Sequence, residues 1–315
     1  MRVVVTGGAG FIGANLCREL LAGDGVDSVA VIDDLSNGRR SNLDGVAVDL
    51  VVGSILDDDA LDAAFTGADA IVHLAALGSV PRSVADPLVT HHANATGTAM
   101  VLEAARRHGN LHTVVASSSS VYGSNPTLPK HEDLATRPIS PYAGSKLATE
   151  GYTLAWGAAY GMPVLPFRFF NVFGPLQPAD HAYAAVIPLF VDAALAGRPL
   201  VVHGDGMQSR DFTYVGTVVA VLADAVRRTV TSDVPVNLAF GSRITLLDVI
   251  AELEQLLGHA VEREHVEPRT GDVRHSQADN SRLRALFPDV TPVPFTDGLR
   301  ATVDWAQSVT TATTT

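Results

Sequence analysis

A run of closely spaced glycines near the start of the chain restricts the fold more than any other part of the sequence. The segment from Thr6 to Gly13 follows a short apolar stretch, and it has glycines at positions 7, 10 and 13. Glycines at this spacing allow a tight turn, a close approach of the backbone to a pyrophosphate, and close packing of the next helix against the strand. The segment therefore predicts a strand, a dinucleotide-binding turn made by Gly7, Gly10 and Gly13, and a helix that begins at Phe11.

An acidic pair supports the same interpretation. Asp33 and Asp34 close the next predicted strand, about 20 residues after the glycine turn, where a carboxylate can accept hydrogen bonds from the adenosine ribose. A carboxylate there also repels a 2′-phosphate, so the sequence favours NAD over NADP as the cofactor. Arg39 and Arg40 follow, but they lie beyond the predicted strand end and are interpreted as a solvated edge.

Short apolar runs alternate with helical patterns through the first part of the chain. One helix is predicted to end near Arg107, and another to run from about Pro141 to Tyr160. Because strands that alternate with helices form parallel sheets covered on both faces, the predicted fold class is α/β with a doubly wound parallel (Rossmann) sheet. Strands are predicted at Arg2 to Thr6, Ser28 to Asp33, Val46 to Val52, Ala70 to His73, His112 to Ala116 and Pro163 to Phe167.

The pattern changes after Gly174, where strands become shorter and more scattered. This change predicts an NAD-binding Rossmann domain over residues 1–174 and a smaller C-terminal α/β substrate-binding lobe over residues 175–307, with some crossing of the chain between them. The last residues, 308–315, are rich in Thr, Ser and Ala and are predicted to fray. Helices of the lobe are predicted at Ala184 to Ala196, Thr217 to Arg228 and Leu246 to Leu257.

The charge balance argues against several classes of partner. The formal net charge is −12, and clusters of Lys and Arg do not extend beyond short pairs, so neither nucleic acid nor an anionic membrane is expected to bind. No apolar run approaches the ~20 residues of a membrane span, and no targeting signal is predicted. The single cysteine, Cys17, fits a buried thiol in a reducing cytoplasm, and no metal site is predicted.

A tyrosine and a lysine indicate the chemistry. Tyr142 and Lys146 are four residues apart in a predicted helix, so their side chains share one face. A tyrosine with an ordinary pKa near ~10 can act as a base near neutrality only where positive charge stabilises its phenolate. Lys146 and an oxidised nicotinamide would supply that charge. Ser118, at the end of a predicted strand, could hydrogen-bond the substrate oxygen from which the tyrosine takes a proton, and shuttle that proton.

At this point the sequence resembles the extended short-chain dehydrogenase/reductases, and among them the UDP-glucose and UDP-N-acetylglucosamine 4-epimerases. The likeness extends from Val3 to about Trp305. Its motifs are Gly7 to Gly13, Val72 to Ala76, Ala76 to Ser83, Asn94, Ser118 to Gly123, Tyr142 with Lys146, Arg168 to Gly174, Ala182 to Pro188, Ser209 to Phe212 and Arg269 to Ser276.

The resemblance implies a C4 epimerase in which NAD stays bound through each turnover. Tyr142, helped by Ser118, would take the C4 hydroxyl proton while the C4 hydride passes to NAD, and the 4-keto sugar would turn and take the hydride back on its other face. Ser54 stands where such enzymes usually have an aspartate under the adenine. The implied cofactor residues are Gly7, Gly10, Phe11, Ile12, Gly13, Asp33, Asp34, Asn37, Gly38, Ser54, Ile55, Leu74, Ala75, Ala76, Asn94, Tyr142 and Lys146.

For the substrate, the resemblance implies that the UDP group is held by one asparagine, Asn171, and two arginines, Arg210 and Arg269. Planar guanidinium groups suit a diphosphate because each can engage two oxygens, although Arg210 and Asp211 could instead pair with each other. Relatives confined to plain hexoses have a bulky tyrosine where this chain has Ser276, so an N-acetyl group is expected to fit. The implied substrate residues are Gly78, Ser118, Ser119, Tyr142, Asn171, Gln177, Val186, Arg210, Arg269, Asp272 and Ser276.

Four alternatives stay open at this stage. A UDP-glucuronate 4-epimerase would usually have Thr in place of Asn171 and an Arg near Pro178, which this chain lacks. A 4,6-dehydratase would have an Asp-Glu pair where Ser119 and Ser120 stand, and a decarboxylase of the same fold is a related possibility. A non-catalytic NAD-binding protein would be expected to have lost Tyr142 or Lys146.

Relatives commonly form homodimers through two long helices of each subunit. In this chain one of these helices ends near Arg107 and the other carries Tyr142. The apolar residues of these helices fit either that interface or the core of one subunit. These residues are Met100, Val101, Leu102, Leu147, Leu154 and Trp156.

Overall fold

The computed structural model describes residues 1–180, 184–268 and 274–313, with side chains described up to residue 309. In this part of the chain a seven-stranded parallel sheet is accompanied by three two-stranded pairs. The strands are β1 Arg2–Thr6, β2 Ser28–Asp33, β3 Val48–Val52, β4 Ala70–His73, β5 His112–Ser118, β6 Val164–Phe169, β7 Asn171–Phe173, β8 Leu200–His203, β9 Ser209–Arg210, β10 Phe212–Tyr214, β11 Val236–Leu238, β12 Ile244–Thr245 and β13 Arg263–Val266.

The helices have the lengths that a doubly wound sheet requires. A π-helical turn, His92–Thr96, lies between α4 and α5, and 3₁₀ turns cover Arg40–Leu43 and Ser119–Tyr122. The helices are α1 Phe11–Ala22, α2 Asp58–Phe65, α3 Val80–Ala85, α4 Pro87–His91, α5 Gly97–Arg107, α6 Pro141–Tyr160, α7 Val186–Leu195, α8 Val215–Arg227, α9 Leu246–Leu257, α10 Ser281–Leu286 and α11 Phe295–Thr313.

The order of strands confirms the predicted fold class. The large sheet runs β11-β6-β5-β4-β1-β2-β3, and its paired strands are parallel. Strand order reverses between β1 and β4, because β2 continues to one side of β1 whereas β4 and its successors lie on the other. In open α/β sheets a ligand binds at such a switch point, beyond the carboxyl ends of the strands.

Alternate residues of β1 face two different hydrophobic cores. Val3 and Val5 pack in the core that includes α1 and α8, whereas Val4 packs in the core that includes α2 and α5. The central strands are therefore apolar on both faces, as expected for a buried parallel sheet. A third core lies among α7, β8, α9 and α11.

The chain passes between these cores more than once. Helix α8 and strand β11 both follow residue 174. Nevertheless α8 packs against α1, and β11 pairs with β6 at the edge of the large sheet. The buried residues of the third core, apart from Phe173, also follow residue 174. The last helix, α11, continues past Ser308 to Thr313.

We expect Gly13→Ala to destabilise the fold by about 1–3 kcal/mol, because an added Cβ would cause overpacking. That atom would lie 2.3 Å from the Gly7 carbonyl oxygen and 2.7 Å from the Gly8 Cα, so α1 would have to move away from the turn. Gly151→Ala is the matched control, since nothing lies within 4 Å of its added Cβ and it stands inside α6. That control should gain about 0.5–1 kcal/mol from helix propensity. Urea unfolding followed by circular dichroism measures both changes, and equal stabilities would contradict the packing argument.

Candidate active site

One cleft of about 1760 Å³ lies at the carboxyl ends of the central strands and extends toward β8 and β9. It brings together residues that are far apart in the sequence. The residues singled out from the sequence that line it are Gly7, Gly10, Phe11, Ile12, Gly13, Asp33, Asp34, Asn37, Gly38, Ser54, Ile55, Leu74, Ala75, Ala76, Gly78, Ser118, Ser119, Tyr142, Lys146, Asn171, Gln177, Val186, Arg210 and Ser276. Arg269 and Asp272 lie outside the described residues.

The glycine turn forms the floor of one end of the cleft. Gly7 has φ +71°, and a Cβ added there would lie 2.7 Å from the Ala75 backbone nitrogen. Gly10 is the N-cap of α1 and provides no side-chain cap, so the first backbone N–H groups of the helix remain available. An open helix amino terminus beside backbone that cannot accept a Cβ fits the pyrophosphate of a dinucleotide.

Asp33 organises the loop beside this turn. Its Oδ2 accepts a hydrogen bond from the Ala9 N–H and its Oδ1 accepts one from the Leu35 N–H, each at 2.9 Å. Burial raises the pKa of the Asp33 carboxyl, and these two donors oppose that rise. Because an ionised carboxylate has about four acceptor positions, Asp33 can also receive the ribose hydroxyls of adenosine. Gly38 is required here, since its added Cβ would lie 2.8 Å from both carboxylate oxygens.

Helix α6 carries Tyr142 and Lys146 on one face. The Ser140 side chain caps the helix by accepting from the Ala143 N–H, and Pro141 occupies its first position. The Lys146 ammonium donates to the Ala116 carbonyl oxygen at 2.7 Å, and burial lowers the pKa of Lys146 to about 8. Burial also raises the pKa of Tyr142, which a hydrogen bond with Ser118 opposes. The phenol therefore meets the hydroxyl at the last residue of β5, and the ammonium bonds the backbone of the same strand two residues earlier.

Asn94 does not line the cleft. It is fully buried in the π-helical turn, where its side-chain amide bonds both backbone groups of Leu77, at 2.8 Å to the N–H and 3.2 Å to the carbonyl. Its Nδ2 also reaches the Ser145 Oγ at 2.9 Å. Asn94 therefore links the segment that follows β4 to α6. Its contact with the cleft is indirect, through Leu77, which lines the cleft.

A buried histidine, given no role from the sequence, lies under the same wall. The His73 Nδ1 is 2.7 Å from the Thr6 Oγ1, and its Nε2 is 3.0 Å from the Thr98 Oγ1, which in turn meets Thr149 on α6. Burial and the nearby charge of Lys146 lower the pKa of His73 to about 3, so the ring is neutral at neutral pH. The ring therefore joins β1, β4, α5 and α6 without adding a charge.

Arg210 and Asp211 do not form the pair that the sequence left open. The Asp211 carboxylate accepts hydrogen bonds from the N–H groups of Gly241, Ser242 and Ala278 and from the Ser242 hydroxyl. The Arg210 Nη1 donates instead to the carbonyl oxygens of Ser209 and Arg274, at 3.0 and 3.3 Å. Arg210 is thereby held at the cleft wall, half-buried.

The other predicted substrate residues are also held by the backbone. The Asn171 Nδ2 lies 3.4 Å from the Asp211 carbonyl oxygen, and the Gln177 Nε2 donates to the Val172 carbonyl at 3.2 Å. The buried Gln177 Oε1 has no hydrogen-bond partner among the described residues. The Ser276 N–H donates to the Ser209 carbonyl at 3.0 Å, which fixes its position beside Arg210.

Several cleft residues carry no signal that sequence reasoning could use. They come from separate helices, strands and loops, and nothing in their spacing sets them apart. They are Phe190, His203, Gln208 and Trp305.

The described residues lack two kinds of feature. Groups of three or more His, Cys, Asp or Glu that could hold a metal ion are absent from this part of the chain. None of the helices described here is long and apolar enough to cross a membrane.

Comparison with known proteins gives a consistent family. Residues 3–239 match the model of the NAD dependent epimerase/dehydratase family. The chain is 36% identical to UDP-glucose 4-epimerase of Mycolicibacterium smegmatis, over 97% of this chain and 98% of that protein. It is 34% identical to a dTDP-glucose 4,6-dehydratase of Streptomyces niveus, over 97% and 92%. The solved structure of UDP-N-acetylglucosamine 4-epimerase from Methanobrevibacter ruminantium M1 is similar with TM-score 0.91 and 35% identity, and covers 98% of each chain.

The state of His73 predicts a dependence of stability on pH. Its pKa is about 3 in the folded protein and about 6.5 in an unfolded chain, so the unfolded state binds the proton first as pH falls. Stability from this group is complete above pH about 6.5 and falls by about 1.4 kcal/mol per unit as pH decreases toward 3. His73→Gln, which cannot titrate, should show a shallower loss between pH 7 and 5 in urea unfolding. Parallel curves for the two proteins would contradict this assignment.

Proposed function

Because the chain belongs to the NAD dependent epimerase/dehydratase family, we propose that it catalyses C4 epimerisation of a UDP-hexose through a transient 4-keto sugar. The observation that carries the proposal is the meeting of Tyr142, Ser118 and Lys146 at the end of β5, in the cleft that contains the glycine turn. The enzyme uses NAD, which supplies one step when bound: it accepts the C4 hydride and returns it.

The protein's own residues move the proton. Tyr142, paired with Ser118, takes the proton of the C4 hydroxyl and gives it back after the sugar has turned. The positive charge of Lys146, held 2.7 Å from the Ala116 carbonyl oxygen, stabilises the phenolate that this requires. Asp33 orients the adenosine ribose, and the amino terminus of α1 faces the pyrophosphate.

The carboxylates of the cleft favour return of the hydride over loss of water. Dehydration at C5 and C6 needs an acid and a base beside the sugar, but Ser119 and Ser120 follow the catalytic serine. The buried Glu150 near this strand is occupied by Arg168, which it meets at 2.6 Å. Among the described residues, the carboxylates that line the cleft are Asp33 and Asp34 in the adenosine loop, Asp86 between α3 and α4, and Asp192 on α7.

The far end of the cleft suits a uridine diphosphate carrying either a plain or an N-acetylated hexose. Arg210 and Asn171 are placed to hold the nucleotide, and we assign Arg269 and Asp272 to the same group from the sequence. Val186, Gln177 and Gly78 line the sugar pocket, and the small side chain of Ser276 leaves room for an N-acetyl group. UDP-Glc, UDP-Gal, UDP-GlcNAc and UDP-GalNAc are the proposed substrates.

We also propose a cytoplasmic homodimer. Burial raises the pKa of the Cys17 thiol to about 12, which fits an unreactive cysteine. Val101 and Leu102 are fully buried within the subunit, so they do not form the interface. On α6, Tyr152 and Tyr160 are 40% and 48% exposed and each makes an edge-on ring contact with Trp156, an arrangement that a second subunit could cover.

Incubation with UDP-Glc, UDP-GlcNAc or UDP-GlcA, with NMR of the products, tests the reaction. We expect C4 epimers from the first two. Tyr142→Phe should lower kcat by about 10²–10⁴, because the proton-transfer group is lost. Tyr152→Phe, on the exposed face of the same helix, should keep wild-type activity. A 4-keto-6-deoxy sugar, a decarboxylated sugar, or no C4 epimer from any of the three would overturn the proposal.

Ser276→Tyr tests the pocket. The larger ring should fill the space proposed for the N-acetyl group, so kcat/KM for UDP-GlcNAc should fall at least about 100-fold, the scale of a lost fit in a closed pocket. Turnover of UDP-Glc should stay within a few-fold of wild type, and Ser276→Ala should leave both substrates unaffected. Loss of both activities, or of neither, would contradict the role of this position.

A further inference from the structure

A hydrogen bond crosses the cleft above the glycine turn. Strand β1 lies between β2 and β4 in the sheet, and the turn from Gly7 to Gly13 follows its carboxyl end. Asn37 lies in the loop after β2, and Arg82 lies on α3, after β4. The Arg82 Nη1 donates to the Asn37 Oδ1 at 2.9 Å. The bond therefore joins the two sides, or banks, of the groove that the cofactor's pyrophosphate would occupy. One bank is the loop after β2 and the other is α3.

The two partners are well placed for such a bridge. Both residues line the cleft, Arg82 half-buried and Asn37 exposed at its mouth. The backbone beneath each is fixed, because the Ser79 hydroxyl caps α3 by accepting from the Arg82 N–H, while Asp33 accepts from the Leu35 N–H in the loop of Asn37. A bond between two fixed banks can open only if a side chain or a whole loop moves.

We infer that Arg82 and Asn37 form a clasp that closes over the pyrophosphate of bound NAD and slows its release. The charge of Arg82 suits this place, because the same end of the cleft carries the carboxylates of Asp33 and Asp34 and would receive a doubly negative pyrophosphate. The guanidinium offers five N–H donors in a plane, and the bond to Asn37 uses one of its nitrogens. Retention matters in an epimerase because the cofactor must return the hydride it has taken.

The inference rests on the NAD site and not on the identity of the sugar, so it can be tested without substrate. Protein loaded with NADH is mixed with excess NAD, and the fall in nicotinamide fluorescence gives the release rate. Arg82→Ala and Asn37→Ala should each speed release at least about tenfold, the effect of losing a hydrogen bond to a charged group. The double variant should release NADH no more than about twofold faster than Arg82→Ala alone, because that single variant has already lost the bond to Asn37.

A further variant separates a clasp from a general effect of charge. Arg40→Ala removes a positive charge from the same loop, and it should change release less than twofold. Wild-type release from Arg82→Ala, equal acceleration by Arg40→Ala, or multiplied effects in the double variant would overturn the clasp. Failure to find a C4 epimer would leave these rates unaffected.

Discussion

The position of the catalytic helix depends on a buried ion pair between Glu150 and Arg168. Glu150 lies one turn beyond Lys146 and two turns beyond Tyr142 on α6, so all three share one face. Its oxygens meet Arg168 on β6 at 2.6 and 2.9 Å, and both side chains are at most 5% exposed. The Ser117 hydroxyl on β5 donates to the same carboxylate. Because loss of one partner leaves a buried charge at a cost of about 3–5 kcal/mol, the helix has one favoured position against the strand ends.

Arg168 also connects β6 to the end of the cleft near Ser276. Arg168 stacks on Tyr122, which follows the serine run, and donates to the Glu132 carbonyl oxygen. Tyr122 and Glu132 both bond Asn237 on β11, through the tyrosine hydroxyl and the glutamate Oε1. The Asn237 Nδ2 then donates to the carbonyl oxygens of Lys130 and Asp279. Of these two residues, Asp279 is close in sequence to Ser276. One network of buried polar groups therefore links β6 and the turn after β5 to the segment that follows Ser276.

The cofactor end of this cleft could be predicted from the sequence, whereas the network behind it could not. The glycine spacing and Asp33 act over short distances, and α6 begins and ends where the pattern predicted, because Ser140-Pro141 and Gly161 mark its ends. Strand β3 begins at Val48 and α7 at Val186, two residues later than predicted in each case. The helix that ends at Arg107 is preceded by a π-helical turn that no periodicity indicates, since the bonds of its Asn94 are made with distant residues. The pairing of β11 with β6 joins segments about 70 residues apart, so strand content alone could not reveal it.

The two ends of the cleft differ in a way that the proposed reaction requires. A sugar that must present both faces of C4 to one hydride carrier has to turn while its nucleotide stays fixed. Arg210 is fixed by two backbone carbonyls, and Asn171 is held by strand pairing beside Asp211. The walls proposed for the hexose are small and uncharged, at Gly78, Ser119 and Ser276. Rigid groups at the diphosphate and small groups around the sugar allow rotation about the link between them, and the proton chemistry of Tyr142 then serves either face.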